Sequence, residues 1–214
     1  MFRAILKTQW KWTRVAVLVC VVIAFALPMI SLALASETRT ARQFIGVMQG
    51  WGVAYAIAAA TLGLVVAVAA WSSDHRGHHV YALSLPVARW RFVLLRFGAG
   101  LIFLVPPVVG LAISALIVSN DHAIPAGLHS YPFALTLRFA FAALVSFGIF
   151  FAISAATKRA AAVILGLIAL VVVADVVTDA AGLHAQILER AVTYTFAYPG
   201  LLSVFNGRWA LIDV

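Results

Sequence analysis

Long apolar runs recur along this chain, and runs of about 18 residues or more indicate membrane-spanning helices. Hydrophobic residues make up 64% of the 214 residues, and charged residues only 10%. Soluble domains carry about 25% charged residues, so a single compact soluble core does not explain this composition. The chain is therefore expected to be an all-α integral membrane protein, a bundle of transmembrane helices.

The spacing of the apolar runs predicts five spans, at about residues 15–35, 44–71, 92–118, 131–156 and 160–177. Pro28 is expected to kink the first span, and Pro106-Pro107 is expected to break the third. In the second span, Gly46 and Gly50 have the spacing of small residues that allows helices to approach closely. The first run is longer than the signal-peptide core of about 7–15 residues, so it is expected to be a retained span.

The segment before the first span, residues 1–14, is expected to be an amphipathic helix at the membrane interface. Arg3, Lys7 and Lys11 recur every four residues and therefore share one helix face, while the tryptophans of the segment suit the headgroup level. Two arginines before the third span suit the same level. The predicted membrane-interface anchors are Arg3, Lys7, Trp10, Lys11, Arg89 and Arg91.

The charged connectors predict the orientation of the transmembrane domain, residues 15–178. The N-terminal arm, the connector at 73–91 and Lys158-Arg159 are basic, which is typical of cytoplasmic segments. The connector between the third and fourth spans has no Lys or Arg and should lie outside. Arg39 and Arg42 depart mildly from this pattern. The N-terminus is therefore expected to be cytoplasmic, with short outer-side helices and an incomplete or missing last span in residues 179–214.

The net charge of +8 is accounted for by these topology signals and by contacts with anionic lipids. Nucleic acid is not an expected partner, because the basic residues are confined to the ends of apolar runs. The chain has no GxxxxGK[ST] phosphate-binding loop. It also lacks the GxSxG and HExxH motifs of hydrolases. The chain is therefore expected not to be an enzyme and not to hydrolyse ATP through such a loop.

Two ionisable residues of the later spans fall at similar predicted depth. Arg138 lies in the outer part of the fourth span, and Asp175 lies near the outer end of the fifth. A rise of about 1.5 Å per residue allows an intramembrane ion pair between them. The alternative is that Arg138 alone extends its side chain to the interface.

A histidine cluster opens the connector: Asp74, His75, His78 and His79. Imidazole and carboxylate groups are metal ligands, so an integral-membrane metalloenzyme is one reading of this DHxxHH pattern. The predicted topology places no complementary His or Glu on the same side of the membrane. A solvated polar segment without metal is the favoured interpretation.

The most specific motif lies in the same connector. Asp74-His75-Arg76-Gly77 opens it, and Leu83-Ser84-Leu85-Pro86-Val87-Ala88-Arg89 closes it. This stretch resembles the cytoplasmic connector between the second and third spans of ABC type-2 permeases, the ABCG-like exporters, with Ala88 where that family frequently has Ser. The layout of residues 1–178 is similar to the same family.

The resemblance implies a coupling segment that docks on a separate ATP-binding subunit, with contact residues Asp74, Arg76, Gly77, Leu83, Leu85 and Pro86. It implies six spans, a dimer with a second permease copy or homologue, and outward transport across the bacterial inner membrane. It further implies that ATP and magnesium are bound by the partner subunit and that this chain holds no cofactor. Three alternatives remain: an ATP-independent carrier or channel, the metalloenzyme, and a scaffold subunit of a larger membrane complex.

Overall fold

The structure is a computed structural model that describes residues 2–38, 40–76, 88–121, 124–125, 127–155, 193–195, 202–206 and 209–213, with single residues at 170, 173, 190, 197 and 200. For residues 73–76 and 89 the description covers the backbone only. The chain forms two compact units: Met1–Phe151 with Arg208–Val214, and Ala152–Gly207.

The described elements are mostly helices. In chain order they are α1 (Phe2–Ser36), α2 (Ala41–Gly50), α3 (Gly52–Arg76), α4 (Arg89–Ser119), β1 (His129–Ser130), α5 (Pro132–Ala155), a 3-10 helix (Ser203–Phe205) and β2 (Ile212–Asp213). Within the second unit, the backbone N–H of Leu202 donates to the carbonyl oxygen of Thr195 at 2.9 Å.

Four helical segments of the described chain are long and apolar enough to cross a membrane: Phe2–Ser36, Ala41–Ser72, Trp90–Ser119 and Pro132–Ala155. Their length and composition are those of a helical multi-pass membrane protein, the class that the sequence predicts. The predicted fifth span lies outside the described residues apart from Leu170 and Val173, which are helical. The count of five spans is therefore not confirmed.

Helix α1 is continuous over 35 residues, a length of about 52 Å at about 1.5 Å per residue. Residues 2–14 are helical but run into the first span without a break, so a separate interfacial helix is not confirmed. The reason lies in the face that α1 buries. Gln9 and Thr13 are buried, like Val17 further along, because α1 packs extensively against α4.

The predicted second span is divided near its beginning. Thr40 caps α2, since its hydroxyl accepts a hydrogen bond from the backbone N–H of Gln43 at 3.3 Å. Helix α2 ends at Gly50, and α3 begins at Gly52 after a turn at Trp51. Glycines on both sides of Trp51 weaken helix continuity at this point.

The prediction that Pro106-Pro107 breaks the third span is wrong. Helix α4 is continuous through both prolines. Proline has no backbone N–H to donate, and its ring clashes with a carbonyl group of the preceding turn. Inside membrane bundles, neighbouring helices and local adjustments satisfy the backbone groups that are freed in this way. Pro28 likewise lies inside the continuous helix α1.

The helices alternate in direction within the first unit. The side chain of Gln9 on α1 donates a hydrogen bond to the backbone of Arg96 on α4. Val21 of α1 is the nearest neighbour of a Cβ atom built on Gly110 of α4. Because both pairs are separated by nearly the same number of residues, α1 and α4 run parallel along most of their length. Ser31, which lies late in α1, contacts Tyr55, which lies early in α3. These two helices therefore run antiparallel.

A different glycine from the predicted ones allows close helix packing. A Cβ atom built on Gly63 of α3 would lie 2.5 Å from both the backbone nitrogen of Phe147 and the Cβ of Ser146 on α5. Around Gly46 and Gly50 no heavy atom of the described structure lies within 4 Å of such an atom. The Gly46–Gly50 spacing therefore forms no close helix contact within this described chain.

Candidate functional site

The ends of four helices meet at one end of the first unit, which we call the connector end. It contains the C-terminal part of α3 and the N-terminal part of α4, which include the two ends of the connector at 73–91. The N-terminal part of α1 and Phe151 of α5 lie at the same end, because they contact these helices. The described ends of these four helices thus lie together, as the alternation of spans requires.

Arg96 is a buried cation at the connector end, with only 5% of its surface exposed. The carbon Cζ of its guanidinium lies 4.8 Å from the ring centroid of Trp71 on α3. The same carbon lies 4.8 Å from the ring centroid of Phe92, one turn earlier on α4. Both distances are within the range of cation–π attraction, which strengthens where the cation is desolvated. The side chain thereby joins the end of α3 to the beginning of α4.

Helix α1 contributes polar groups to the same place. Gln9 is 3% exposed, and its Nε2 donates to the carbonyl oxygen of Arg96 at 3.4 Å. Thr13 is also buried, and its hydroxyl donates to the carbonyl oxygen of Gln9. The atoms Gln9 Oε1 and Trp71 Nε1 have no hydrogen-bond partner among the side chains that the structure describes.

An aromatic cluster supports the cation from the side of α5. The ring of Trp71 lies 5.3 Å from that of Phe151 between centroids. Phe97, the residue after Arg96, lies 5.0 Å from Phe147 and 5.2 Å from Phe151, the latter edge to face. Such offset and edge contacts add to the burial of apolar area. This cluster packs three helices, α3, α4 and α5, together near the connector.

The predicted interface anchors lie at the same end, on the outside of the bundle. Arg3, Lys7, Lys11 and Arg91 are exposed. Arg91 places its Cζ 5.2 Å from the ring centroid of Trp90. Trp10 stacks on Phe103 at 5.8 Å and is still 43% exposed. For Arg89 the structure describes only the backbone, at the first residue of α4.

The predicted coupling residues are only partly within the described chain. Asp74 and Arg76 belong to the last turns of α3, where only the backbone is described. Gly77, Leu83, Leu85 and Pro86 lie outside the described residues, as do His78 and His79. Elsewhere, the described side chains contain no group of three or more His, Cys, Asp or Glu that could hold a metal ion. The coupling and metal hypotheses both remain untested at these positions.

The C-terminal segment Trp209–Asp213 packs at the opposite end of the first unit. Strand β2 pairs antiparallel with β1, and Tyr131 N–H donates to the carbonyl oxygen of Leu211 at 2.7 Å. Trp209 is 4% exposed. Its Cβ is the nearest neighbour of a Cβ built on Gly52, at 3.1 Å. A glycine at position 52 therefore leaves room for the backbone and Cβ of Trp209.

Arg138 contacts this C-terminal segment. Its Cζ lies 4.9 Å from the ring centroid of Trp209. Asp175, the predicted ion-pair partner, lies outside the described residues, so the pair stays a prediction. The contact with Trp209 could not be predicted from span depth, because the segment that carries Trp209 returns to the first unit from far along the sequence.

A groove of about 300 Å³ lies between α1 and α3. It is lined mainly by apolar residues, among them Ala24, Leu27, Ile57 and Phe139, with Cys20 and Thr61 as its polar or polarisable members. Binding sites for polar ligands bring a few convergent polar groups together. The described lining of this groove supplies no charge, so the connector end is the stronger candidate for function.

Sequence reasoning missed Arg96, although a usable signal was present. Arg96 lies within the predicted third span, and ionisable residues inside spans are costly and usually functional. Gln9, Thr13 and Val17 are spaced by four residues and so share one face of α1, but this spacing alone does not show that the face is buried. The partner rings could not be assigned from the sequence, since they belong to different helices.

Comparison with known proteins identified no relative. No protein-family model matches the chain. No curated protein and no solved structure matches it either. Function is therefore inferred from the residues of the chain itself and from their placement.

Proposed function

We propose that this chain is the membrane-spanning permease subunit of an ATP-binding cassette transporter, an exporter driven by a separate ATPase subunit. The observation that carries the proposal is the packing of the two helix ends that flank the connector. The polar segment that resembles a coupling segment joins α3 to α4, and the ends of these two helices are packed together through Trp71, Phe92 and Arg96.

This packing supports the proposal because long helices move as units. Switching transitions commonly involve rigid displacement or sliding of packed helices. A subunit that pushes or pulls on the connector would act on both flanking helices together. Helix α3 also packs against α5 near Gly63, and α4 packs extensively against α1. Displacement at the connector would therefore be passed to four helices of the first unit.

The partners and cofactors follow from this assignment. ATP and magnesium belong to the partner ATPase, and the permease contributes the docking residues Asp74, Arg76, Gly77, Leu83, Leu85 and Pro86. A second permease copy or homologue completes the transport pathway. The chain resides in the bacterial inner membrane with its N-terminus in the cytoplasm, and Arg3, Lys7, Lys11, Arg89 and Arg91 contact anionic headgroups.

The proposal is tested by purifying the chain from its native host in mild detergent, identifying co-purifying proteins by mass spectrometry and assaying ATPase activity. A stoichiometric ATP-binding protein is expected. Leu85→Asp and Arg76→Glu should each remove that protein from the preparation, because they place unfavourable charge in the docking segment. Asn120→Glu is the matched control. It adds a charge just after α4, at the end of the bundle opposite the connector, and should leave the association intact.

A preparation of the folded chain that contains no ATP-binding protein would contradict the proposal. In that case ion-gradient-driven uptake by the reconstituted chain would support the carrier alternative. Stoichiometric metal, lost on combined replacement of His78 and His79 by alanine, would support the metalloenzyme.

A further inference from the structure

Arg96 lies close to the connector from both sides. Trp71 precedes the end of α3 by five residues, and Arg96 follows the beginning of α4 by seven. At about 1.5 Å per residue, these are axial distances of about 8 Å and about 10 Å. The contact between the cation and the two rings is therefore located within two turns of the segment proposed to bind the ATPase.

The chemistry of this contact favours keeping the two helix ends together. A cation that is 5% exposed has lost most of its contact with water, and removing it from the aromatic rings without rehydration is costly. Separation of α3 from α4 would have to expose Arg96 or move Trp71 with it. Movement of either helix end is thus expected to move the other.

The N-terminal helix takes part through the backbone of the same residue. Gln9 Nε2 donates to the carbonyl oxygen of Arg96 at 3.4 Å, and Trp10, the next residue of α1, stacks on Phe103, seven residues further along α4. Because α1 and α4 run parallel from this point, a shift of the beginning of α4 also acts on α1. Arg96 is the one residue of this group whose described contacts reach both α1 and α3.

We propose that Arg96 is a positioning residue that transmits movement of the connector to the transmembrane helices, with Trp71 and Phe92 as its aromatic partners. This inference rests on the proposed function. It does not make Arg96 a contact of ATP, of the ATPase or of the substrate. Its role is to make α3 and α4 respond together when ATP binds to the partner subunit.

The experiment uses the complete complex with its co-purified ATPase, reconstituted in lipid nanodiscs. Cys20 is replaced by alanine, and Asn120→Cys carries a spin label at the end of the bundle opposite the connector. The distance between the labels of the two permease copies is measured by electron paramagnetic resonance, with and without ATP plus vanadate. An ATP-dependent shift in this distance is expected for the parent complex.

Arg96→Met should abolish the shift while ATP hydrolysis and subunit association persist. Arg96→Lys, which keeps the charge but not the planar guanidinium, should retain part of it. Arg14→Met is the matched control, because it removes an exposed arginine of α1 at the same end of the bundle, and it should leave the shift unchanged. Thermal unfolding of each complex establishes that the variants are folded.

Trp71→Leu removes the aromatic partner of Arg96 on α3. It replaces Arg96→Met as the test of the inference if that variant does not fold. An unchanged shift in a folded Arg96→Met or Trp71→Leu complex would overturn the inference while leaving the proposed function in place. Absence of a co-purifying ATPase from the parent chain would instead overturn the proposed function. The two failures are therefore distinguished by the parent preparation alone.

Discussion

At the scale of single residues, two buried serines differ in what their hydroxyl groups do. Ser31 donates to the carbonyl oxygen of Pro28 at 2.8 Å and lies 3.3 Å from the hydroxyl of Tyr55. Because Ser31 donates its hydroxyl proton to the carbonyl oxygen of Pro28, the Tyr55 hydroxyl is the donor in its hydrogen bond with Ser31. The Ser114 hydroxyl is also buried but has no hydrogen-bond partner among the described residues.

Ser31→Ala is therefore expected to lower the free energy of unfolding by about 1 kcal/mol, since it leaves the buried Tyr55 hydroxyl without this acceptor. Ser114→Ala should change it by less than about 0.5 kcal/mol, because no hydrogen bond is lost. Unfolding in mixed detergent micelles measures both. Adding Tyr55→Phe to Ser31→Ala should recover part of the loss. Equal effects of the two serine variants would contradict the assigned hydrogen bond.

At the scale of helices, the contact of α3 with α5 depends on the absence of a side chain at position 63. Gly63→Leu should strongly destabilise the bundle, by more than about 3 kcal/mol, because the new atoms would meet the backbone of α5 and force the helices apart. The measurement is the yield and thermal stability of the folded, monodisperse protein in detergent.

Gly46→Leu provides the matched control on α2. A Cβ atom at that position meets no heavy atom within 4 Å in the described structure, and leucine favours helix more than glycine does. This variant should be as stable as the parent chain. A stable Gly63→Leu protein, or an equally unstable Gly46→Leu protein, would show that the close α3–α5 contact is wrong.

The bounds of the helices could be predicted where the length of an apolar run alone sets them. The predicted spans 92–118 and 131–156 agree with α4, Arg89–Ser119, and α5, Pro132–Ala155, within three residues at each end. Apolar length sets these boundaries, and it is visible in the sequence. The continuity of α4 through Pro106-Pro107 was not predictable, since the cost of a proline depends on which neighbouring groups replace its lost hydrogen bond.

The candidate site was predictable only in its local part. The connector could be singled out because its polar residues stand between two apolar runs. The contact of Arg96 with Trp71 depends on how α3 and α4 pack, and nothing in the local pattern around either residue encodes that packing. Similarly, the depth argument for Arg138 used the neighbouring span and missed Trp209 from the C-terminal segment.

At the scale of the whole molecule, the segment that ends the described chain helps to hold the first unit together. Trp209 contacts α3 at Gly52 and α5 at Arg138, which are far from it in sequence. Trp209→Ala should lower the unfolding free energy by about 3 kcal/mol, as large-to-small changes at buried aromatic residues do. Unfolding in mixed micelles measures this loss.

Trp90→Ala is the control for that prediction, because Trp90 is 60% exposed and also lies beside an arginine. In detergent its loss should cost much less than the loss of Trp209. If the two variants lose the same stability, the C-terminal segment does not pack as described. If only Trp209→Ala is destabilised, the ends of α3 and α5 opposite the connector are joined by a segment that no local sequence pattern predicts.

The difference in charge between the two ends predicts the orientation of the molecule in the membrane. Cations are concentrated at the connector end, and cytoplasmic segments carry the excess of Lys and Arg. In a Cys20→Ala background, Asn120→Cys should react with a membrane-impermeant maleimide in intact spheroplasts, whereas Lys7→Cys should react only after permeabilisation. Both positions are exposed in the fold, so access is limited by the membrane rather than by burial. The reverse pattern of labelling would place the connector outside the cell, where a cytoplasmic ATPase could not reach it.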